Sequence, residues 1–476
     1  MDHVDLAIIG SGSGNSLVTP DFADKQVAVI ESGVFGGTCL NVGCIPTKMF
    51  VYAAEVAETV RDAHRYGVRA RIEAVDWPAI RDRIFGRIDP ISGAGLDYRR
   101  NGPNTRVLQG RARFTGPREL TVRGADGSES RLSADQIVIA AGSAAQIPEL
   151  IRDAGVPYET SDTVMRLPAL PESIVIVGGG FIAAEFAHVF SALGTRVTLV
   201  VRGPAMLRKE DNEISAAFTH IAQRRWDVRL GTEFIAVRPG PQGGVEATLT
   251  DGTTVAADVL LVAAGRAPNT PDLDLPAAGI GVHEDGRVVV DAHGRTAVQG
   301  VWALGDVSSP YQLKHVANHE ARVVAHNLAH PEALRSFDHR FVPSAVFTSP
   351  QIASVGATER DLATAGTPYV GKVQRYGDTA YGWAMEDTEG LCKVLADPRT
   401  GRLLGAHIMG AQASTLIQPA IQAMSLGQTV GEVARGQYWI HPALTEVLEN
   451  ALLGLELTAP SEVLDMPVEG EDVSQP

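Results

Sequence analysis

Cysteine is scarce in this sequence: Cys39, Cys44 and Cys392 are the three thiols in 476 residues. A scaffold stapled by structural disulfides spreads its bridges along the chain. Three cysteines, two of them with four residues between them, exclude that design. In a reducing compartment so close a pair reads as redox chemistry. Cys392 sits in the strand-like run 391–395 and reads as a small buried hydrophobe. Long apolar runs are missing too. No stretch approaches the roughly 18 uncharged residues a membrane span requires, so no membrane domain is expected. No basic cluster offsets the net charge of -15, which would repel a phosphate backbone, so a nucleic-acid partner is excluded. The start of the chain, residues 1–5, is acidic and leads straight into a strand, whereas a secretory leader needs a basic start and a longer apolar core. The expected compartment is therefore the cytoplasm, and no metal site is expected.

What is present is an ordinary globular composition, 45% hydrophobic and 20% charged. At about 100–200 residues per domain, the length suggests three domains. The apolar run 5–9 is bounded by Gly10, and a second run, 27–30, is closed by Glu31. This spacing predicts strand, glycine turn, helix, strand. The pattern recurs with the run 174–177, the glycines Gly178, Gly179 and Gly180, a helical segment to about Gly194 and a strand over 196–201. One chain thus carries two βαβ nucleotide-binding units. Strand-like runs 136–140 and 258–265 follow the two units, and 299–306 delivers Asp306 at a strand end. From about 338 onward, strand-like runs (345–347, 352–355, 391–395, 403–408) and helical stretches near 415–426 and 443–453 predict a separate α+β domain. The tail from about 460, rich in Pro, Glu and Asp, is expected to be disordered.

In the first unit, Gly10, Gly12, Ser13 and Gly14 lie between a strand and an expected helix, so backbone amides and a helix N-terminus can face a pyrophosphate. Glu31, 21 residues after Gly10, can accept from a ribose hydroxyl. The third fingerprint position holds Asn15 where glycine is usual, with Gly14 beside it. A glycine turn alone could be a mere bend; the flanking strands and Glu31 favour the dinucleotide reading.

The second fingerprint runs Gly178, Gly180, Ala183, with alanine in a place the motif permits. An NAD site would put a carboxylate at the end of the 196–201 strand. Here Val201 stands there, followed by Arg202 and, further on, Arg208. Guanidinium groups can bind a 2′-phosphate that a carboxylate would repel, so NADPH is the expected nucleotide.

The stretch 36–48 is the most informative. In a regular helix, residues five apart have Cα atoms roughly 8–9 Å apart, beyond the ~7 Å limit for a disulfide. The segment holding Cys39 and Cys44 must therefore be distorted, and Gly43 allows it. Pro46 suits a first helical turn, which predicts Cys44 at a helix N-terminus, where thiolate is favoured. Lys48 adds positive charge one turn on.

These residues resemble the pyridine nucleotide–disulfide oxidoreductases, the family of glutathione reductase, dihydrolipoamide dehydrogenase and mercuric reductase. The resemblance covers almost the whole chain. It is carried by the Gly-Gly-Thr-Cys-x4-Cys at 36–44, the second fingerprint at 178–183, the stretch 296–306, and His441 through Glu446. It implies an α/β fold with two Rossmann-like nucleotide-binding domains, for FAD and NADPH, plus a C-terminal α+β dimerisation domain. The implied boundaries are 1–145 and 266–337 for the FAD-binding domain, 146–265 for the NADPH-binding domain and 338–460 for the dimerisation domain, with 461–476 as the tail.

The resemblance further implies that Cys44 faces the flavin and Cys39 attacks a small-molecule disulfide. His441 of the partner subunit is the implied general acid–base, oriented by Glu446, so that a homodimer shares its active sites. From the residues alone, Pro442 can open a helix whose first turn carries Glu446. The resemblance places Asp306 on the ribitol of FAD and Lys48 with Glu185 near the reactive edge of the flavin. It places Thr38, Ala112, Gly142, Leu313 and Gly265 at the cofactors. Within the family, 35–55, 310–328 and 437–441 look most like the mycothione reductase branch. Ala141, and Ala144 with Ala145, depart from the commoner Thr and Arg-Pro, which bears on local flavin-domain contacts. The rival reading is an NAD-linked dihydrolipoamide dehydrogenase, which Val201 and Arg202 oppose; a mercuric reductase would need a C-terminal cysteine pair that 476 residues do not contain. A non-catalytic flavin-bearing assembly or redox-sensing subunit is a third, opposed by the intact set Cys39, Cys44, His441 and Glu446.

Overall fold

The computed structural model describes residues 1–240 and 243–458; the tail 461–476 falls outside them. The chain forms two compact units. The first comprises Met1–Arg202 and Trp226–His339, and the second comprises Gly203–Arg225 and the residues from Arg340 onward.

The first unit contains a seven-stranded and a five-stranded sheet, besides smaller ones. In one, the strands run in the order Thr105–Gln109, Val27–Glu31, Asp2–Ile9, Glu129–Ile139, Glu119–Arg123, Arg111–Gly116, with Val301–Ala303 also paired to Glu129–Ile139. The pairs around Asp2–Ile9 are parallel, as expected for runs such as Leu6, Ala7, Ile8 and Ile9 that are buried on both faces. The other sheet orders Asp227–Leu230, Arg196–Val201, Ser173–Val177, Val259–Val262 and Glu159–Thr160, all parallel. In each sheet the first strand of the predicted βαβ unit has neighbours on both sides. The chain therefore switches direction at its carboxyl end, where a crevice opens for ligand. Gly10 and Gly178 stand at those two ends.

The two units of the repeat differ in their helices. After Gly178–Gly180 the Ala-rich stretch Phe181–Leu193 forms a mostly buried helix, ended by Gly194. After Gly10 the predicted helix is absent. Ser13–Leu17 and Pro20–Phe22 make only two short 3-10 turns. Gly14, Ser16 and the β-branched pair Val18 and Thr19 are poor helix formers, and Pro20 holds Thr19 extended.

The second unit is an antiparallel sheet in the order Ser344–Val346, Gln351–Gly356, Leu403–Gly410, Leu391–Ala396, Val370–Arg375. Four of these strands were legible as apolar runs; Val370–Arg375, with Gly371, Lys372 and Gln374, was not. Helices including Gln418–Leu426 and Glu446–Leu453 cover it. Cys392 is wholly buried in the central sheet, and burial pushes its thiol up to about 12, the inert small hydrophobe expected. The last helix begins at Glu446 rather than at Pro442. Residues 441–445 instead fold around the Glu446 carboxylate, which accepts from the Ala443 amide at 3.2 Å. Among the described residues no helix is long and apolar enough to cross a membrane, and no cluster of side chains could hold a metal.

Candidate active site

Gly10 makes the first turn with a φ of +106°, and a Cβ there would lie 2.3 Å from the Ala140 carbonyl oxygen. Close packing of the turn falls to Gly14 rather than to the Asn15 position, since a Cβ on Gly14 would come within 2.8 Å of Ala140 Cβ and 2.9 Å of Ile8 Cγ2. Asn15 serves instead as an anchor, its side-chain oxygen and its carbonyl accepting from Arg99 at 2.7 and 2.9 Å. Ser13 Oγ accepts from Lys314 Nζ at 2.8 Å and donates to Asn318 at 3.1 Å. Arg99 and Lys314 were not singled out in the sequence. Lys314 carried one signal, a cation in the first turn of the helix Lys314–Ala329, where the helix dipole disfavours it.

Glu31 lies where predicted, at a strand end. One carboxylate oxygen accepts from the amide and hydroxyl of Ser11 at 2.9 and 2.6 Å, and the other from the Gly33 amide at 2.8 Å. The same Ser11 hydroxyl accepts from the Gly36 amide at 2.8 Å. Next to it, Gly37 has a φ of +73°, and a Cβ there would stand 2.5 Å from Gly12 Cα. The glycine turn and the dithiol segment therefore touch backbone to backbone. A side chain at that approach would wedge the two segments apart, and this close glycine packing with a carboxylate at the strand end is what a dinucleotide turn requires.

The dithiol segment is broken as its spacing required. One helix covers Gly37–Asn41 and a second Cys44–Asp62, with Val42 and Gly43 between them. A Cβ on Gly43 would meet the Thr38 carbonyl at 2.9 Å, so the break is compact. Asn41, buried and missed in the sequence, ties it down by donating to the carbonyls of Phe35 and Gly37 at 2.9 and 3.1 Å. Thr38 is exposed on the first of these helices. Cys44 is the first residue of the second. Both thiols are free, and they are polarised in opposite directions. A hydrogen bond from Cys39 lowers Cys44 to about 7, burial opposing and Lys48 assisting. The same bond, with burial, pushes Cys39 far above the usual thiol range.

Lys48 Nζ meets Glu185 Oε2 at 2.6 Å, and the Glu185 carboxylate is buried. Lys48 rides on the Cys44 helix and Glu185 on Phe181–Leu193. The two helices are locked by an aromatic stack in which the Trp77 ring lies 5.0 Å from Phe50 and 5.5 Å from Phe190, pairs worth about 0.5–1.5 kcal/mol each.

At the second turn, a Cβ on Gly179 would come within 2.5 Å of Val201 Cγ1, so the apolar Val201 packs on the glycines where an NAD site would place a carboxylate. Gly180, the residue before the helix, has open space beside it, and Ala183 is buried behind. Arg202, in the first unit, is exposed just after the strand. Arg208 belongs to the second unit and is exposed, its side chain lying over Gly203.

Asp306 follows the strand Val301–Ala303 and accepts from Ser143 Oγ at 2.7 Å. Ser143 in turn is held by Arg266, whose Nε reaches its hydroxyl at 2.9 Å and whose Nη2 reaches its carbonyl at 2.6 Å. The neighbouring amide of Gly305 donates to the buried Glu320 at 2.6 Å, and Glu320 also pairs with His339 at 2.8 Å. Arg266, Glu320 and His339 had no sequence signal, because their partners meet them only through folding, at 123 positions for Arg266 and 15 to 19 for Glu320. The Gly142 carbonyl accepts from the Asn269 amide at 3.0 Å, and Gly265 joins the strand Arg266–Pro268, which pairs with Ser143–Ala145. Leu313 precedes the Lys314 helix. Ala112 is a core residue of the strand Arg111–Gly116, so only its backbone can meet a ligand.

In the second unit, His441 Nδ1 lies 2.6 Å from Glu446 Oε1, with the imidazole exposed. Tyr438 and Ile440 beside it are exposed as well. The structure thus brings together Cys39, Cys44, Lys48 and Glu185 in one unit, and His441 with Glu446 in the other.

Residues 4–321 match the family pattern described as pyridine nucleotide-disulphide oxidoreductase, and 342–452 match its dimerisation domain. The chain is 58% identical over 464 residues to a mycothione reductase of Mycobacterium tuberculosis, covering 96% of this chain and 100% of that one. It is 33% identical over 455 residues to a glutathione reductase of Burkholderia cepacia, covering 93% and 97%. Among solved structures it is similar to an HOCl-induced flavoprotein disulfide reductase of Escherichia coli, with a TM-score of 0.85 at 27% identity over 95% of this chain and 99% of that one. With both domain patterns matched in order and the dithiol, the two glycine turns and the His–Glu pair all built, the chain belongs to the pyridine nucleotide-disulphide oxidoreductases.

Proposed function

We propose that this protein is an NADPH-dependent flavoprotein reductase of a low-molecular-weight thiol disulfide, and that the disulfide is mycothione, which it returns to mycothiol. The observation that carries the reading is the polarised dithiol, with Cys44 lowered to about 7 at a helix N-terminus beside the Lys48–Glu185 pair. The close relation to a mycothione reductase supports the choice of substrate. Bound FAD would accept a hydride from NADPH and pass two electrons to the Cys39–Cys44 disulfide.

The chain's own residues do the rest. Asp306, Glu31 and the turn from Gly10 to Gly14 hold the flavin nucleotide. Gly178, Gly180 and Ala183 hold NADPH, with Arg202 for its 2′-phosphate; Val201 leaves the NAD-linked dihydrolipoamide reading unfavoured. Cys39, held as a thiol, needs a base before it can attack, and His441 oriented by Glu446 takes that proton. Cys39 Sγ then bonds to one substrate sulfur while the substrate S–S bond breaks. The leaving thiolate receives the proton from His441 and departs as the first thiol. Cys44 thiolate attacks Cys39 Sγ, which re-forms the Cys39–Cys44 disulfide and releases the second thiolate, which takes its proton from solvent by way of His441. Two electrons and two protons have passed to the substrate.

The dimerisation domain supports a homodimer. We place His441 of the partner subunit at each Cys39, and the enzyme in the cytoplasm, where a reduced thiol pool is kept.

The test is a panel of mycothione, glutathione disulfide and lipoamide, each with NADPH and with NADH. Mycothione with NADPH is expected to give the highest kcat/KM, and Cys39→Ser to lower it at least about 10³-fold. A preference for NADH, or for lipoamide, would overturn the reading.

A further inference from the structure

Asp306 belongs to a turn whose geometry is set from outside its own segment, and every group that sets it lies in the first compact unit. Gly305 has a φ of +73°, and a Cβ on it would come within 3.3 Å of Ala317 Cβ, so the turn lies close against the helix Lys314–Ala329. Glu320 stands one turn further along the same face of that helix, and its Oε2 accepts from the Gly305 amide at 2.6 Å. The other carboxylate oxygen meets His339 Nε2 at 2.8 Å. Glu320 is buried, while His339 is half-buried, its ring 5.2 Å from that of Tyr311 and 5.6 Å from that of Phe337. The Gly305 carbonyl is held as well, accepting from the amides of Ser308 and Ser309 at 2.9 and 2.7 Å. At its first turn the same helix sends Lys314 to Ser13. One rigid element therefore grips both of the turns assigned above to the flavin nucleotide, which lie far apart along the chain.

A carboxylate taken out of water is a poor source of stability, because desolvation consumes most of what its partners return, and an apolar side chain on that helix face would be buried without the penalty. What the carboxylate supplies is direction. A hydrogen bond from a backbone amide to an ionised oxygen is short and strong, and it fixes the plane of the peptide that donates it. Here that peptide leads into Gly305, so its orientation sets where the next side chain, Asp306, points. Ser143, gripped by Arg266, holds the Asp306 carboxylate from the other side. Neither Glu320 nor His339 has a part in the transfer of electrons or protons described above.

We propose that Glu320, backed by His339, is a positioning residue that fixes the Gly305–Asp306 turn in the geometry that receives the flavin nucleotide, so that the hold on FAD is set in part from the helix Lys314–Ala329. This rests on the reading of Asp306 given above.

The test starts from the FAD-loaded enzyme and follows FAD release on dilution by flavin fluorescence, the visible circular dichroism of the flavin that stays bound, and 2′,5′-ADP binding by calorimetry. Asp306→Ala should weaken FAD about 10- to 100-fold. Glu320→Ala should weaken it about 10-fold and change the flavin dichroism in the same sense as Asp306→Ala, with 2′,5′-ADP moving less than about 2-fold. Glu320→Gln keeps an acceptor for the Gly305 amide and should stay within about 3-fold of wild type. His339→Ala, at a half-buried site, should weaken FAD about 3- to 10-fold with the same split between the two nucleotides, and it decides the matter even where Glu320→Ala does not fold. In the double variant the Asp306→Ala and Glu320→Ala losses should not multiply, because Glu320 acts through Asp306. If Asp306→Ala loses FAD while Glu320→Ala or His339→Ala does not, or if FAD and 2′,5′-ADP weaken equally, or if Glu320→Gln is as weak as Glu320→Ala, or if the losses multiply, the proposal falls alone. If Asp306→Ala holds FAD normally, the reading of Asp306 falls and takes the proposal with it.

Discussion

Cys39, Cys44 and Cys392 carry the same side chain and have three different acidities, because a thiol's charge depends on what surrounds the sulfur. Cys392 is wholly buried in its sheet, and that burial pushes it up to about 12. Cys44 receives the Cys39 hydrogen bond, starts a helix and has Lys48 one turn away, and is lowered to about 7. Since its pKa is depressed, Cys44 is a thiolate above that value and a neutral thiol below it. In the two-electron-reduced holoenzyme, the long-wavelength thiolate-to-flavin band should therefore fade as pH drops through about 7. An absorbance titration checks this; a band unchanged down to pH ~5 would mean that the thiolate is held by something other than these neighbours. At this scale most of the chemistry was legible. Cys39, Cys44, Glu31, Lys48 and His441 announce themselves by type and spacing. Arg99, Arg266 and Glu320 do not, because an arginine or glutamate becomes a clamp only when folding brings it a partner.

At the scale of elements, the two βαβ units read alike in sequence and folded differently. Hydrophobic periodicity placed all four of their strands. The first unit lost its helix because Gly14, Ser16, Val18, Thr19 and Pro20 together outweigh the pattern. Glycines within one domain also have opposite meanings that no motif distinguishes. Gly37 has a positive φ and its Cβ would collide with Gly12, whereas Gly93, inside the helix Trp77–Arg100, has open space around it. Gly37→Ala should cost about 1–3 kcal/mol and leave the purified protein short of flavin. Gly93→Ala should stabilise by about 0.5–1 kcal/mol through helix propensity alone. Thermal melts and the flavin-to-protein absorbance ratio check both; equal effects would mean that the Gly12–Gly37 approach does not shape the cofactor cradle.

At the scale of the whole molecule, the nucleophile and the acid–base sit in different compact units, Cys39 in the first and His441 in the second. If each active site draws His441 from the partner subunit, two inactive variants can repair one another. Cys39→Ser and His441→Gln are each expected to be nearly dead, yet a randomly reassorted mixture should recover about one quarter of wild-type activity, because half the dimers are mixed and each mixed dimer has one intact site. Co-expression with two affinity tags measures this. No recovery would place both groups of a site in one chain.

The sequence by itself determined the family, the two nucleotide turns, the dithiol and its necessary break, since these depend on residue type and on distances along the chain of a few residues. The tertiary structure decided which glycine packs the first turn, and which distant side chains hold Asp306 and Asn15 in place. Those outcomes depend on desolvation and on pairings between residues from about 80 to more than 160 positions apart, and the free energy of such pairings exists only once folding has removed the competing water.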